Sequence, residues 1–111
     1  MDDVIVLISK VGPLPITVAF NAPADGPVSF FLSGTAWSAT ADSFLQIELL
    51  VDDTYVSLTN AFTNIADSHT ALLPTFIPYN LTAGQHTLTL QVSNDTTITD
   101  NNDFFHVSLH L

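Results

Sequence analysis

A two-residue hydrophobic repeat runs through almost the whole of this 111-residue sequence. In "QHTLTLQV", for example, Leu88, Leu90 and Val92 alternate with threonine and glutamine. Successive side chains of a β-strand point to opposite faces of a sheet, so this pattern is typical of strands with one buried face. No stretch shows the 3.6-residue repeat of an amphipathic helix. The sequence therefore predicts an all-β protein.

Turn-forming residues divide this pattern into eight predicted strands. "APADGP" and "LTAGQ" are turns, Gly34 is expected to break or bulge a strand, and Pro74 and Pro78 confine their segment to a sheet edge. We read 60–67 as a loop. The predicted strands are residues 4–10, 15–21, 27–38, 44–52, 55–59, 69–80, 85–94 and 103–111. Short strands at this spacing indicate an antiparallel β-sandwich with jelly-roll topology, formed by one domain at 1–111.

The charge balance excludes two classes of partner. Lys10 is the one Lys or Arg beside 11 acidic residues, and the net charge is −10. Such a chain cannot neutralise nucleic-acid phosphates, and an anionic membrane surface would repel it.

No segment approaches the ~20 apolar residues of a membrane span. The apolar run at 4–8 follows two aspartates, so we do not expect a signal peptide. The chain has no cysteine, which excludes disulfides and thiolate metal sites.

The low content of charged residues favours association. Apolar residues make up 47% of the chain and charged residues 11%, which leaves few charges to cover a monomer. In one alternative, threonine and serine hydroxyls form much of the polar surface, and the protein is a hydroxyl-rich monomer. The other is burial of apolar surface against further copies, because large exposed apolar patches usually mark interfaces. We favour association.

The closing segment "NDFFHVSLHL" is apolar on both faces of its predicted strand. One face carries Phe105, Val107, Leu109 and Leu111. The other carries Phe104, His106, Ser108 and His110. The first strand is similar, with Val4 and Val6 opposite Ile5 and Leu7. A strand that is apolar on both faces is typical of burial on both faces. We therefore expect both chain ends to lie between the sandwich core and neighbouring subunits.

Four segments taken in order suggest a family. "FFLSGTAWSAT", "IELLVDD", "LTAGQHTLTLQ" and "NDFFHVSLHL" resemble the short bacterial and phage members of the tumour-necrosis-factor (TNF)/C1q-like jelly rolls, from about Val28 onward. The resemblance implies a jelly roll of the ten-strand class that forms a compact homotrimer, with the sheet of the first and last strands around the threefold axis. The Gly-X-Y stalk of the collagen-tailed members is absent from this sequence. The implied trimer interface contains Phe104, His106, Ser108, His110, Val4 and Val6.

The histidines allow two interpretations. His106 and His110 lie about 13 Å apart along one strand face and cannot share an ion within a subunit. Three symmetry-related copies of either residue could form a His₃ site for zinc or nickel. The alternative, which we favour, is an ordinary interfacial histidine with hydrogen-bond partners.

An Asp/Asn-rich segment raises the question of calcium. "SNDTTITDNND" contains Asp95, Asp100 and Asp103, whose oxygens suit calcium. The glycine and closing glutamate of an EF-hand are missing, and Asp and Asn are also common in turns. We interpret the segment first as a turn and second as a calcium site, and we expect no other cofactor.

Three aromatic residues are candidates for ligand binding. Trp37, Tyr55 and Tyr79 lie near predicted strand ends with polar neighbours, as in β-sandwich lectins that bind sugars beside an aromatic ring. The alternative is that Trp37 belongs to the core and the tyrosines are half-buried.

"ADSHT" places Asp67, Ser68 and His69 together, but neighbours on an extended segment point apart and no nucleophile elbow is present. We therefore predict no enzyme activity.

Together these features predict a non-enzymatic homotrimeric jelly-roll module. Its expected role is a structural or receptor-binding head of a bacterial or phage surface assembly, outside a cell or on a virion. The alternative is a carbohydrate-binding lectin, with calcium assisting and a surface glycan as partner.

Overall fold

In a computed structural model, which describes residues 3–111, the chain forms nine β-strands and no helix within that range. None of these residues therefore belongs to a helix of the length and apolarity that crossing a membrane requires. The strands are β1 (Val4–Val11), β2 (Ile16–Ala22), β3 (Gly26–Ala36), β4 (Ser43–Val51), β5 (Thr54–Thr63), β6 (Thr70–Ala71), β7 (Thr75–Leu81), β8 (Gly84–Val92) and β9 (Phe104–His110).

The strands form two antiparallel sheets. In sheet 1 the order is β1-β9-β3, and the far edge of β3 is shared by β7 and the short β6. In sheet 2 the order is β2-β8-β4-β5. The first and last strands are neighbours, and consecutive strands mostly alternate between the sheets, which is a jelly roll. The prediction of an all-β antiparallel jelly-roll sandwich is confirmed.

Three local predictions were wrong. The segment 69–80 is two strands, β6 and β7, because Pro74 between them has no amide hydrogen for the ladder. Strand β5 continues to Thr63, into the predicted loop. Gly34 neither breaks nor bulges β3: its register with β9 is continuous. The irregularities fall elsewhere, between Val6 and Ile8 in β1 and between Leu49 and Leu50 in β4.

Gly34 is required for packing rather than for a bend. A Cβ atom at this position would lie 2.6 Å from Cδ1 of Phe105, whose side chain is fully buried. The missing side chain lets the Phe105 ring lie directly against the backbone of β3. The predicted core face of the last strand is thereby formed, with Phe105, Val107 and Leu109 all at 0% exposure and Leu111 half-buried.

The core between the sheets follows the two-residue repeat of the sequence. Most of the alternating side chains of β3, β4 and β8 that point inward are buried, whereas Val92, at the end of β8, is 36% exposed. Burial of such a side chain contributes about 1.5–3 kcal/mol relative to exposure. The largest are Phe30, Leu32, Leu45, Ile47, Leu49, Leu88 and Leu90.

Candidate functional site

The outer face of sheet 1 is the first candidate. It is identified by register, because directly opposed residues of neighbouring strands project to the same side. Ser108 on β9 is opposite Val6 on β1 and Phe31 on β3, and Phe31 is opposite Phe76 on β7. We call this surface the outer face; its residues include Val4, Val6, Val11, Ser29, Phe31, Ser33, Phe76, Pro78, Phe104, His106, Ser108 and His110.

Aromatic rings dominate the centre of the outer face. The Phe31 ring centroid lies 4.8 Å from that of Phe76 and 6.1 Å from that of His106. The Phe76 ring is 5.3 Å from that of His110, whose Nε2 is 2.9 Å from the Ser108 hydroxyl. Such rings form a continuous surface rather than isolated exposed side chains, and surfaces of this kind mark interaction sites.

Several apolar side chains of the outer face are open to solvent in the single chain. Phe76 is 60% exposed, Val6 56% and Phe104 47%. His106 and His110 are half-buried and Ser108 is buried. The structure thus brings together all six residues that the sequence analysis assigned to a trimer interface. That other copies cover them stays a prediction.

The outer face carries no carboxylate, although the chain is strongly acidic. Within residues 3–111, Glu48 is the one acidic residue that lies inside a strand, and it belongs to β4 of sheet 2. The described aspartates all lie in turns, loops or the segment before β1. Lys10 is on β1, opposite Phe105, whose side chain points to the core. The outer face is therefore a neutral surface on a chain with a net charge of −10.

The second candidate is a polar cluster at the C-terminal end of β3. Trp37 directly follows β3 and forms an isolated antiparallel bridge with Ile98. Because β9 and β6 also pair with β3, the segment before β9, with Asp100 and Asp103, lies beside the segment before β6, with His69. We call Trp37, His69, Asp100 and Asp103 the His69 cluster.

Asp103 is the centre of the His69 cluster and is completely buried. Its Oδ1 accepts a hydrogen bond from the Thr35 hydroxyl (2.9 Å) and lies 2.7 Å from His69 Nδ1. Its Oδ2 accepts the backbone N–H of Asp100 at 2.9 Å. A buried carboxylate is costly unless it is paired in this way. The hydrogen bond to Asp103 raises the pKa of His69 above its ordinary value.

Asp100 and Trp37 form the exposed side of the cluster. The Trp37 indole N–H donates to Asp100 Oδ2 at 3.2 Å, and Asp100 Oδ1 accepts the backbone N–H of Asn102 at 2.8 Å. The Trp37 and His69 ring centroids are 5.8 Å apart. Trp37 is half-buried, so the indole keeps an accessible surface. An anchored indole beside an imidazole and a carboxylate can contact a polar ligand.

The structure separates the three aromatic residues that were proposed as ligand contacts. Tyr79 is opposite Val28 near the start of β3, packs 6.1 Å from Phe30 and is half-buried. Trp37 follows the other end of β3. Tyr55 is 54% exposed and lies next to the turn that joins β4 and β5. The three therefore do not form one platform.

The proposed calcium ligands are also divided. Asp100 and Asp103 lie together, but His69 takes the third place and Asp95 is not part of the group. Sequence reasoning missed the pairing of His69 with Asp103, since the two are 34 positions apart and only the topology brings them together. His69 was considered only beside Asp67, which is not its carboxylate partner.

A second histidine–aspartate pair joins the β4–β5 turn to β8. His86 Nδ1 is 2.6 Å from Asp52 Oδ2, and its Nε2 is 2.7 Å from the carbonyl oxygen of Thr82. Asp52 Oδ1 also accepts the N–H of Thr87 at 2.9 Å. The hydrogen bond to His86 lowers the pKa of Asp52, and the hydrogen bond to Asp52 raises the pKa of His86.

This pair predicts a pH-dependent contribution to stability. Because the pKa of His86 is raised on folding, its contribution is complete below the unfolded value of about 6.5 and is lost as the pH rises through the folded pKa. Because the pKa of Asp52 is lowered, its contribution is present above about 3.9 and is lost as the pH falls through the folded pKa. We expect Asp52→Asn to reduce the melting temperature most near pH 5 and less near pH 9. Thermal unfolding across this range measures the difference.

Asp53→Asn is the matched control for this measurement. Asp53 lies in the same turn, has the same charge and also has a positive φ, of 64° against 51° for Asp52. Asparagine tolerates this backbone region as well as aspartate does. A destabilisation by Asp52→Asn that does not change with pH, or an equal pH profile for both variants, would contradict the assignment.

Comparison with known proteins supports the fold. No protein-family model matches the chain, and no curated protein matches it in sequence. Among solved structures, it is similar to Eiger TNF from S. frugiperda, with 9% identity, a TM-score of 0.62 and coverage of 97% of this chain and 92% of that one.

Two further structures extend the range of similar proteins. The tripod from the baseplate of bacteriophage Tuc2009 has 18% identity and a TM-score of 0.60 over 96% of this chain and 62% of its own. CBM35 from Cellvibrio japonicus Abf62, a family 35 carbohydrate binding module, has 9% identity and a TM-score of 0.60 over 96% and 92%.

Similar folds also occur as small parts of long proteins. The chain spans 10% of the length of a β-glucosidase from Paenibacillus barengoltzii, at 13% identity and a TM-score of 0.60 over 96% of this chain. At these identities the similarity concerns the fold alone. The chain has the jelly-roll fold that these TNF, phage-baseplate and carbohydrate-binding-module structures share.

Proposed function

We propose that this protein is a non-catalytic binding module that forms a homotrimer through its outer face. As a trimer it would serve as a structural or receptor-binding head of a bacterial or phage surface assembly, outside a cell or on a virion. The observation that carries the proposal is the neutral, aromatic outer face on a chain with a net charge of −10.

Charge explains why the outer face is suited to a second copy of the chain. Two strongly acidic molecules repel each other, and at physiological salt this repulsion fades beyond about 8 Å. Contact through a surface without carboxylates keeps the acidic turns away from the centre of the interface. Burial of apolar side chains contributes roughly 25 cal/mol for each Å² removed from water, so exposed groups such as Phe76 favour contact.

The support for three copies rather than two comes from the family resemblance, the sheet order and the structural comparison. The resemblance of the sequence to TNF/C1q-like jelly rolls implies a homotrimer with the first and last strands near the axis. In this structure those strands, β1 and β9, are neighbours in sheet 1 and contribute Val6, Phe104 and His106 to the outer face. The structural similarity to TNF and to a phage-baseplate tripod agrees with this assembly.

The mass in solution tests the proposal directly. We expect light scattering or sedimentation equilibrium at pH 7.5 to give three times the chain mass of 12.0 kDa. A mass of one chain at micromolar concentration would overturn the homotrimer and, with it, the proposed role of the outer face.

The His69 cluster favours a second candidate function, which is binding of a saccharide. The accessible indole of Trp37 can stack on a sugar ring, while His69 and the carboxylate of Asp100 can hydrogen-bond its hydroxyls. The structural similarity to a carbohydrate binding module supports this candidate.

A glycan array with and without calcium tests saccharide binding. Trp37→Ala is the variant expected to lose binding, and Tyr55→Ala is the control. Absence of any hit under both conditions would exclude it.

A further inference from the structure

We propose that His69 Nε2 and the carboxylate of Asp100 bind a divalent transition-metal ion such as Zn²⁺ or Co²⁺, with Asp103 orienting the imidazole from behind. The proposal does not depend on self-association or on saccharide binding. It concerns a site built around an imidazole and is distinct from the calcium site that the sequence suggested.

The first step is the orientation of the imidazole. His69 Nδ1 lies 2.7 Å from Asp103 Oδ1. Asp103 is fully buried and is also held by the Thr35 hydroxyl on Oδ1 and the amide of Asp100 on Oδ2, so its carboxylate stays behind the imidazole. Metal-binding histidines usually donate their other ring N–H to a carboxylate, which fixes the tautomer and directs the free lone pair at the metal. In His69 that lone pair belongs to Nε2.

The second step is the partner ligand. His69 Nε2 is 4.0 Å from Asp100 Oδ2. A tetrahedral ion with bonds of about 2.0–2.1 Å requires about 3.3 Å between two of its ligand atoms. Both side chains are partly exposed, at 35% for His69 and 41% for Asp100, so a small movement brings them to that separation. Water would complete the coordination shell.

The donor set selects the class of metal. An imidazole nitrogen with a carboxylate oxygen suits zinc, cobalt or nickel, whereas calcium prefers six to eight oxygen ligands. The chain contains no cysteine, so thiolates do not compete for these ions. The site is therefore expected to prefer Zn²⁺ and Co²⁺ to Ca²⁺.

His86 provides an internal control. Its Nδ1 is held by Asp52 in the same way, but its Nε2 is 2.7 Å from the carbonyl oxygen of Thr82. Each histidine therefore has its own carboxylate partner at Nδ1, and the two differ in whether Nε2 is open to a ligand. His110 Nε2, on the outer face, is 2.9 Å from the Ser108 hydroxyl.

The one tryptophan of the chain reports binding at the site. The Trp37 ring lies 5.8 Å from that of His69, so Co²⁺ bound there is expected to quench its fluorescence. Titration of tag-free protein at pH 7.5 should give saturable quenching with one Co²⁺ per chain, reversed by Zn²⁺ and not by Ca²⁺. Calorimetry with Zn²⁺ should give the same stoichiometry. At pH 6 binding should be weaker, because protons compete for the imidazole.

Four variants separate the proposal from nonspecific binding. We expect His69→Asn and Asp100→Asn to lose saturable quenching, and Asp103→Asn to weaken binding 10–100-fold, as is usual for an orienting carboxylate. His86→Asn should bind like the wild type. Asp100→Asn leaves the Asp103–His69 pair intact, so it remains informative if His69→Asn fails to fold. Absence of saturable quenching in the wild type, or equal binding by Asp100→Asn, would overturn the proposal.

Discussion

Phe76→Asp is expected to convert the trimer into folded monomers of 12.0 kDa. Phe76 is 60% exposed in the single chain, and its ring packs at 4.8 Å on Phe31 at the centre of the outer face. In the free chain the new carboxylate would be hydrated and would cost little. In the trimer it would be buried among aromatic rings, and a buried, unpaired charge costs several kcal/mol. Sedimentation measures the mass, and circular dichroism confirms that the fold is retained.

Phe62→Asp is the matched control for this substitution. Phe62 is similarly exposed, at 50%, and packs on another phenylalanine, Phe44, at 5.1 Å. It belongs to sheet 2, on the opposite side of the sandwich. We expect this variant to remain trimeric. If Phe62→Asp dissociates the assembly and Phe76→Asp does not, the interface lies on sheet 2 and the proposed role of the outer face is wrong.

The fold could be predicted to the extent that it depends on local pattern. The two-residue repeat correctly placed Leu88 and Leu90 in the core, because side-chain direction along a strand depends only on position in that strand. The same rule assigned Phe105 to the core and Phe104 to the opposite face. The sheet order also agrees with what the family resemblance implies, that the first and last strands belong to one sheet.

The predictions failed where a residue's role depends on a distant segment. Gly34 resembles a strand breaker in sequence, but its role depends on the Phe105 ring, 71 positions away. His69 and Asp103 belong to different loops, which meet because the strands that follow them, β6 and β9, both pair with β3. Trp37 and Tyr79 were correctly placed near strand ends, but which ends meet is decided by the topology.

The adjacent residues Phe104 and Phe105 allow the two faces of the last strand to be tested separately. Phe105→Ala is expected to lower the free energy of unfolding by about 3–5 kcal/mol, which is the usual cost for a buried phenylalanine. The cost should lie toward the upper end because the ring packs against glycine: a Cβ at Gly12 or Gly34 would lie within 3.0 Å of it. No side chain at these two positions can move into the cavity. Urea unfolding in the Phe76→Asp background measures this cost without a contribution from association.

Phe104→Ala should weaken the trimer rather than the folded chain. Its side chain is 47% exposed in the single chain, so in the monomeric background we expect its loss to change the free energy of unfolding by less than about 1 kcal/mol. In the otherwise wild-type chain the same substitution should weaken the trimer, because it removes apolar area from the interface. If Phe104→Ala left the dissociation constant unchanged, β9 would be buried on its core side alone. The neutral outer face would then need another partner.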